Sequence, residues 1–400
     1  MSEGRILLLE GIDPGAKDSL EGGGYEVELL PKSLPEDALV SALAGAVAVG
    51  IRSKTHLTAQ VLDAAADLRA IGAFCIGTNQ IDLERAHHHG VPAFNAPFSN
   101  TRSVAELVMA EVVFLARKTG DRNLEMHQGQ WKKSAAGSHE IRGKTIGIVG
   151  YGHIGRQVGV LAEAFGMKVL FYDVASRLPM GNNVPAPGLE ELLANSHFVT
   201  LHVPQTPETA NMIGAAELRH MREGSYLLNL SRGNVVVIEA LAEALRSGHL
   251  AGAALDVYPE EPETRDAPFS TPLAGLPNVI LTPHVGGSTV EAQVAIGQEV
   301  AATLLRYLRA GTTIGAVNFP QVDLADRAGA HRIQHIHDNV PGVLEAVHHV
   351  ITEKRVNILG EALVTDNDIG YLLIDVADAG DAICAELAKL PRTRRVRRLT

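Results

Sequence analysis

The sequence predicts an α/β protein with two parallel-sheet domains and a smaller domain at the C-terminus. The main observation is a complete strand–glycine turn–helix–strand–acid unit between residues 144 and 173. The second is that the apolar strands of residues 144–284 are each followed directly by polar residues. The third is a β-α-β-β-α-β order of segments over residues 332–399, which is typical of a ferredoxin-like sandwich.

Length and composition predict a well-packed protein. The 400 residues suffice for two or three domains, and 46% hydrophobic with 20% charged residues predicts a sizeable core. No apolar run reaches the roughly 18–20 residues that span a membrane, and residues 1–10 look like a first strand rather than a signal peptide. Cys75 and Cys384 match no disulfide or metal spacing. We therefore expect a cytoplasmic protein with no membrane partner.

Charge argues against a nucleic-acid partner, since the net charge is −11. Residues 391–400 carry five arginines and are the exception. Their pattern favours a final edge strand with solvated arginines, which discourage strand-to-strand aggregation. His87, His88 and His89 resemble a metal tract, but three adjacent side chains point around a helix and do not converge on one ion. The sequence therefore predicts no metal site.

The N-terminal residues alternate short apolar strands with helices but have no phosphate-binding glycine turn, so they predict a flavodoxin-like substrate domain. A long helix over 101–119 leads out of this domain. A second long helix over 291–310 is expected to return to it. The substrate domain is therefore predicted to be discontinuous, formed by residues 1–100 and 291–318, with a linker near residues 311–329.

The glycine turn consists of Gly150, Gly152 and Gly155. The first glycine permits a tight turn, the second lets a pyrophosphate approach the backbone, and the third lets helix and strand pack closely. The N-terminus of the following helix faces the phosphate charge. Asp173 lies 18 residues after Gly155 and ends the next strand, where a carboxylate accepts hydrogen bonds from ribose hydroxyls. Residues 101–290 are therefore predicted to form a Rossmann-type domain that binds NAD.

Later strands of this domain end in residues that carry chemistry. His202, Arg232, Asp256 and His284 each lie at or just beyond the end of an apolar strand. In open parallel sheets, binding sites form beyond the carboxyl ends of the strands. We therefore expect these side chains to lie at one edge of the sheet.

Ser231-Arg232-Gly233, Glu261 and His284 follow the glycine turn in this order, and together they resemble the D-isomer-specific 2-hydroxyacid dehydrogenase family. The resemblance covers nearly the whole chain. Its other motifs lie at residues 51–56, 76–80, 94–106, 281–288 and 316–320. Residues 328–400 resemble the ACT regulatory domain of one subgroup, through residues 335–344. That subgroup uses NAD to oxidise 3-phosphoglycerate to 3-phosphohydroxypyruvate, the first step of serine biosynthesis.

The resemblance implies that Arg232, Glu261 and His284 are catalytic. Arg232 offers a planar fork that matches a carboxylate and polarises the forming carbonyl. His284 is the acid/base, because an imidazole with a reference pKa of about 6.5 suits proton transfer near neutral pH. Glu261 orients the imidazole and stabilises its charged form, with the neighbouring Glu260 as the alternative.

The resemblance also implies three sets of binding residues and a homotetramer. The cofactor set is Gly150, Gly152, His153, Ile154, Gly155, Asp173, His202, Val203, Pro204, Leu230, Ser231, Arg232, Asp256, His284, Gly286 and Gly287. The substrate set is Arg52, Ser53, Lys54, Asn100 and Lys133, of which Lys133, near Trp131, reaches a neighbouring subunit's site. The set for L-serine, the implied effector, lies at an interface between ACT domains and comprises His337, Asn339 and Asn357.

Two other functions stay open from the sequence. A dehydrogenase for another 2-hydroxy or 2-keto acid, such as 2-hydroxyglutarate and 2-oxoglutarate, uses the same three catalytic residues. A catalytically silent protein that senses NAD(H) keeps the fold and the cofactor site but acts through partner surfaces. Dependence on a substrate phosphate separates the first alternative from the preferred function. Absence of NADH turnover with several 2-keto acids favours the second.

Overall fold

The computed structural model describes residues 3–262 and 267–399. The chain divides into two units, Met1–Ser99 with Gln293–Thr400 and Asn100–Ala292. Within the described residues, no helix combines the length and the apolar character needed to cross a membrane.

The first unit begins with a five-stranded parallel sheet and four helices. The strands are β1 (Arg5–Leu8), β2 (Glu26–Leu29), β3 (Ala46–Ile51), β4 (Ala70–Ala73) and β5 (Ala93–Asn95). The helices are α1 (Pro14–Gly22), α2 (Glu36–Leu43), α3 (Ala59–Ala64) and α4 (Leu83–His88). The strand order β2-β1-β3-β4-β5 is the flavodoxin-like order that the sequence predicted. Strands β3 and β4 are buried at every residue, as expected for strands covered on both faces.

The second unit is built around a seven-stranded parallel sheet. Its strands are β6 (Thr145–Val149), β7 (Lys168–Tyr172), β8 (Val184–Pro185), β9 (Phe198–Leu201), β10 (Ser225–Asn229), β11 (Leu250–Leu255) and β12 (Val279–Leu281). Its helices are α5 (Thr101–Arg117), α6 (Thr119–His127), α7 (His153–Ala164), α8 (Leu189–Asn195), α9 (Ala215–His220) and α10 (Ile238–Arg246). The order β12-β11-β10-β9-β6-β7-β8 reverses between β6 and β9. The predicted Rossmann-type topology is therefore confirmed, and this reversal is where such sheets bind dinucleotides.

The predicted long helices are present with one change. The helix predicted over 101–119 is α5, which ends two residues earlier, at Arg117, because Lys118 adopts a left-handed φ of 53°; α6 follows directly from Thr119. The returning helix is α11 (Val290–Ala310). It starts in the second unit and ends in the first.

The C-terminal residues form the predicted β-α-β-β-α-β sandwich. Its strands are β13 (His331–Asp338), β14 (Ile358–Thr365), β15 (Ile369–Val376) and β16 (Thr393–Arg398), and its helices are α12 (Val343–Glu353) and α13 (Gly380–Leu387). The antiparallel order is β14-β15-β13-β16. One face of the sheet packs on α12 and α13. The other face contributes Ile336, Tyr371 and Leu373 to a core shared with Phe94 and Tyr307 of the first unit.

The segment before this sandwich is packed, although it was predicted as a linker. Residues 311–330 contain no helix or strand beyond a single bridge at Ala316. Val317 N–H donates to the Ala93 carbonyl at 2.8 Å, and Ala93 N–H donates to Asn318 Oδ1 at 2.8 Å. Phe319 is buried in the same core. The segment is therefore an ordered strip of chain beside β5.

The predicted solvation of the C-terminal arginines is wrong for two of them. Arg397 donates to the carbonyls of Tyr307 and Leu308, both at 3.0 Å, and its guanidinium lies 4.8 Å from the centre of the Tyr307 ring. Arg395 donates to the Leu68 carbonyl at 2.5 Å, and burial lowers the pKa of this arginine. Arg397 thus places a cation at the C-terminal end of α11, where the helix dipole favours it.

We expect Arg397→Ala to destabilise the first unit, because it removes charged hydrogen bonds to partly buried carbonyls. One such bond is worth about 1.5–3 kcal/mol, and at about 2–4 °C per kcal/mol for a unit of this size its loss corresponds to roughly 3–12 °C in Tm. Differential scanning calorimetry measures the change. Arg398→Ala is the matched control, since Arg398 pairs with the exposed Asp381 at 2.6 Å and such pairs contribute little. Equal Tm values for the two variants would contradict the assigned role of Arg397.

Candidate active site

The three predicted catalytic residues lie in the second unit, beyond the ends of three neighbouring strands. Arg232 follows β10, Glu261 follows β11 and His284 follows β12. These strands are adjacent and parallel, so their carboxyl ends share one edge of the sheet. The fold therefore brings together side chains that lie up to 52 residues apart along the chain, from Arg232 to His284.

Asn229 builds the turn that carries Arg232. Its Oδ1 accepts hydrogen bonds from the Ser231 N–H at 3.1 Å and from the Ser231 hydroxyl at 2.8 Å. Its Nδ2 donates to the Arg232 carbonyl at 3.0 Å. At Gly233 a Cβ atom would collide with the backbone of Tyr258, so only glycine lets this turn pack on the segment that leads to Glu261. Asn229 was not predicted from the sequence, although its position at a strand end is a usable signal.

Glu261 and His284 form a hydrogen-bonded pair. Glu261 Oε2 lies 2.7 Å from His284 Nδ1, and Glu261 Oε1 accepts from the Tyr258 N–H at 3.2 Å. The hydrogen bond and the charge of Glu261 raise the pKa of His284, against the opposing effects of burial and of the Arg232 charge. Burial opposes ionisation of Glu261, but the hydrogen bond and charge of His284 lower its pKa overall. The pair leaves His284 Nε2 as the ring atom that can exchange a proton with a substrate.

Asp256 fixes the backbone of the loop that carries His284. Its Oδ1 accepts from the Thr282 hydroxyl at 2.6 Å and from the Val285 N–H at 2.8 Å, and its Oδ2 accepts from the Gly286 N–H at 2.7 Å. His284 itself has a φ of 52°, which is uncommon for a residue other than glycine. Asp256 was predicted as a cofactor contact. Asp256 is 1% exposed, and both oxygens of its carboxylate accept hydrogen bonds from this loop.

The glycine turn has the properties that a dinucleotide site requires. Gly150 has a φ of 91°, and a Cβ there would collide with the carbonyl of His202. A Cβ at Gly155 would collide with the carbonyl of Gly150, so this glycine permits the close contact of α7 with β6. At Gly152 no atom of the described residues lies within 4 Å of the place that a Cβ would occupy. The turn is therefore tight where it packs and open where a pyrophosphate would approach the N-terminus of α7.

Asp173 lies at the tip of β7 beside this turn. Its Oδ2 accepts from the Tyr151 N–H at 2.9 Å, and its Oδ1 lies 3.4 Å from Arg177 Nε. A carboxylate at this position accepts hydrogen bonds from ribose hydroxyls and repels a 2′-phosphate. The residues present therefore fit NAD.

Comparisons with known proteins agree with this geometry. Residues 109–286 match the family model for the NAD binding domain of D-isomer specific 2-hydroxyacid dehydrogenases, and residues 333–395 match an AHAS small subunit-like ACT domain. The D-3-phosphoglycerate dehydrogenase of Dictyostelium discoideum is 50% identical over 98% of this chain and 96% of its own length. The chain belongs to the family of D-3-phosphoglycerate dehydrogenases. The Escherichia coli K12 member is 49% identical over 99% of this chain and 97% of its own length.

Solved structures show the same dehydrogenase fold. An NAD-complexed D-isomer specific 2-hydroxyacid dehydrogenase from Lactobacillus delbrueckii has a TM-score of 0.69 at 27% identity, covering 78% of this chain and all of the other. The D-lactate dehydrogenase of Aquifex aeolicus, complexed with NAD and lactic acid, has a TM-score of 0.67 at 26% identity, covering 79% of this chain and all of the other. As a member of this family, the chain is an NAD-dependent oxidoreductase with a C-terminal ACT domain.

The remaining cofactor candidates of this dehydrogenase lie at the same edge of the second sheet. His202 follows β9, beside the glycine turn, and burial lowers its pKa to about 3, so the ring is neutral. Its Nε2 lies 3.0 Å from the Thr200 hydroxyl. Gly286 and Gly287 continue the His284 loop, and Leu230 and Ser231 continue β10. Their direct contacts with NAD stay predictions.

The substrate candidates fall in different places. The Asn100 side chain lies against Gly287, where a Cβ would collide with it, so Asn100 adjoins the His284 loop. Lys133 lies in an exposed segment with Trp131, which is 79% exposed. Arg52, Ser53 and Lys54 form a loop at the carboxyl end of β3 in the first unit. The roles of these residues in substrate binding stay predictions.

The effector candidates separate into two groups within one chain. His337 and Asn339 lie at the end of β13, where His337 pairs with Gly370 of β15. Asn357 precedes Ile358, which pairs with Val376 at the other end of β15. Gly370 and Val376 lie near opposite ends of β15, and strands rise about 3.3 Å per residue. The two groups are therefore separated by most of the length of β15. One copy of the chain therefore does not bring the three side chains together.

Glu111, a buried acid on the apolar stripe of α5, was not predicted from the sequence. It is 3% exposed, and neither carboxyl oxygen has a partner within the described residues. Burial, reinforced by the charge of Asp256, raises the pKa of Glu111 to about 8, so the group is protonated at neutral pH. The sequence signal for it is a glutamate within the otherwise apolar stripe of this helix.

Proposed function

We propose that this dehydrogenase oxidises 3-phospho-D-glycerate to 3-phosphohydroxypyruvate with NAD⁺, as the first step of L-serine biosynthesis. The observation that carries the proposal is the Glu261–His284 pair, at 2.7 Å, sharing one sheet edge with Arg232 in an NAD-binding unit. The named relatives, at 47–50% identity over nearly the whole chain, support the substrate.

The geometry suits oxidation of a 2-hydroxy acid. The Arg232 guanidinium binds the substrate carboxylate and polarises the forming carbonyl. Neutral His284 accepts the hydroxyl proton at Nε2, and the negative Glu261 stabilises the imidazolium that results. Bound NAD⁺ supplies the hydride acceptor. In the reverse direction, the imidazolium of His284 returns the proton to the carbonyl oxygen.

The substrate phosphate is assigned to the Arg52 loop of the first unit. Arg52 and Lys54 provide two cations, and Ser53 provides a hydroxyl between them. A local cluster of cations in a chain of net charge −11 steers an anionic substrate toward this loop.

Arg52→Ala tests this assignment. We expect kcat/KM for 3-phosphohydroxypyruvate to fall by about 10–100-fold, because hydrogen bonds to charged groups are worth about 1.5–3 kcal/mol. The same variant should change kcat/KM for 2-oxoglutarate by less than about threefold, since that substrate has no phosphate. NADH oxidation at 340 nm measures both. Equal losses for the two substrates would refute the phosphate contact and would favour a dehydrogenase for another 2-keto acid.

Regulation by L-serine and assembly into a homotetramer complete the proposal. The ACT domain supports a small-molecule effector. His337 and Asn339 lie at one end of the sheet and Asn357 at the other, so a shared effector site requires residues from two copies. Asn339 Nδ2 donates to the Asp366 carbonyl at 2.6 Å, which ties this end of β13 to the β14–β15 turn.

The first experiment is NADH oxidation with 3-phosphohydroxypyruvate, with and without millimolar L-serine. Turnover that serine suppresses supports both the substrate and the ACT assignments. Turnover that ignores serine keeps the enzyme and discards the effector. Absence of turnover, with other 2-keto acids also inactive, would favour the NAD(H)-sensing alternative.

A further inference from the structure

The backbone of the Arg52 loop is held by one carboxylate from a different strand. Glu10 Oε1 accepts hydrogen bonds from the Arg52 N–H at 3.0 Å and from the Thr55 N–H at 2.8 Å. Glu10 Oε2 accepts from the Lys54 N–H at 3.0 Å. Backbone amides that converge in this way form a concave anion site, and here the protein's own carboxylate fills it.

The topology explains how Glu10 reaches this loop. Glu10 lies just beyond β1 and Arg52 just beyond β3, and these strands are neighbours in the parallel sheet. Both residues therefore lie at the carboxyl edge of the sheet, although 42 positions separate them in the sequence.

Glu10 makes these bonds from a strained backbone. Its φ is 63°, in the left-handed region, and Gly11 follows with a φ of 60°. A residue with a Cβ is disfavoured in this region by about 1–2 kcal/mol. Glycine would adopt the same conformation without this cost. A glutamate at this position is therefore not explained by the turn itself, whereas its three charge-assisted hydrogen bonds do explain it.

A second side chain also holds the loop, through the Arg52 carbonyl. Gln80 Nε2 donates to the Arg52 carbonyl at 2.7 Å and also lies 3.3 Å from the Gly77 carbonyl. Gln80 is 8% exposed. The Arg52 peptide groups are thus fixed on both sides, by the Glu10 carboxylate at its N–H and by the Gln80 amide at its carbonyl.

We propose that Glu10 is a positioning residue for substrate recognition, which fixes the Arg52–Thr55 backbone so that its side chains meet the substrate phosphate in one geometry. The inference rests on the proposed role of the Arg52 loop. It also limits how the phosphate binds, because Glu10 already occupies three of the loop amides. Within the described residues the Ser53 N–H donates to no acceptor, so this amide and the side chains of residues 52–54 are the groups left for the phosphate.

Glu10→Gly separates the carboxylate from the backbone strain. Glycine keeps the left-handed turn and removes only the three hydrogen bonds to the loop. We expect kcat/KM for 3-phosphohydroxypyruvate to fall by about tenfold or more, mostly through KM, because a loop that is no longer held in one geometry binds the phosphate less tightly. For hydroxypyruvate, which lacks the phosphate, we expect a change of less than about threefold.

Two further variants complete the test. Glu10→Gln keeps the shape of the side chain but loses one of its two acceptor oxygens and its charge, so its KM for 3-phosphohydroxypyruvate should lie between those of wild type and Glu10→Gly. Glu26→Gln is the control, since Glu26 is an exposed carboxylate on β2 of the same sheet. NADH affinity, measured by fluorescence titration, and Tm report whether each variant folds.

The outcomes separate this inference from the proposed function. If Arg52→Ala shows a phosphate-selective loss and a folded Glu10→Gly does not, the inference is wrong and the proposed function stands. A folded Glu10→Gly that loses both substrates equally would also overturn it, because that result indicates a general structural role. A wild-type enzyme that does not turn over 3-phosphohydroxypyruvate would overturn the proposed function and, with it, this inference.

Discussion

Replacing His284 by asparagine should lower kcat by about 10²–10⁴-fold, the usual contribution of a general acid or base. Asparagine cannot carry the proton, but it tolerates the left-handed backbone that His284 adopts at a φ of 52°. The loop held by Asp256 should therefore keep its shape. We expect NADH affinity to stay close to that of the wild type, since the glycine turn and Asp173 are unchanged. Steady-state NADH oxidation and fluorescence titration measure the two quantities.

His220→Asn is the matched control for this experiment. His220 lies at the end of α9 in the same unit and pairs loosely with Glu190, with 3.9 Å between Nδ1 and Oε1. His220 and Glu190 are thus also a histidine–glutamate pair, but they do not lie at the edge of the sheet that carries Arg232. Its replacement should leave kcat unchanged within about twofold, as for surface substitutions generally. A His284→Asn enzyme that retained turnover like the His220 control would remove His284 from the mechanism.

Local patterns predicted the two parallel sheets and the dinucleotide turn. Gly150 needs a positive φ, Gly152 leaves space for a pyrophosphate to approach, and Gly155 lets α7 pack closely on β6. All three requirements arise within a few residues of the chain. Each of these requirements selects glycine, so the pattern is visible in the sequence. The strand periodicity is also local, which is why the predicted strand positions lie within a few residues of those observed.

The residues that hold the loops of the site in place could not be predicted from a local sequence pattern. Glu10 reaches amides 42 to 45 positions away, and Asp256 holds a loop up to 30 positions away. These contacts depend on which strands are neighbours, and side-chain spacing does not encode that. The same reason explains why the solvation predicted for the arginines of β16 is wrong for two of them. Their composition predicts solvation, but the sheet face that carries Arg397 packs on the end of α11.

Glu261→Gln should change the pH dependence of the enzyme as well as its rate. Glutamine keeps the size of the side chain but removes the charge that raises the pKa of His284. The pKa of His284 should therefore fall. We expect kcat for keto-acid reduction at pH 7.5 to fall by about 10–100-fold, because the imidazolium that donates the proton is less populated and less well oriented.

The direction of the pH shift follows from the protonation state that each reaction needs. Reduction uses the imidazolium and is lost as the pH rises through the pKa of His284, so this loss should occur at lower pH in the variant. Oxidation uses the neutral imidazole and increases as the pH rises through the same pKa, so this increase should also move to lower pH. Glu260→Gln is the control, because Glu260 is exposed and adjacent in sequence. Unmoved pH profiles in Glu261→Gln, or equal shifts in Glu260→Gln, would show that Glu261 does not set the protonation of His284.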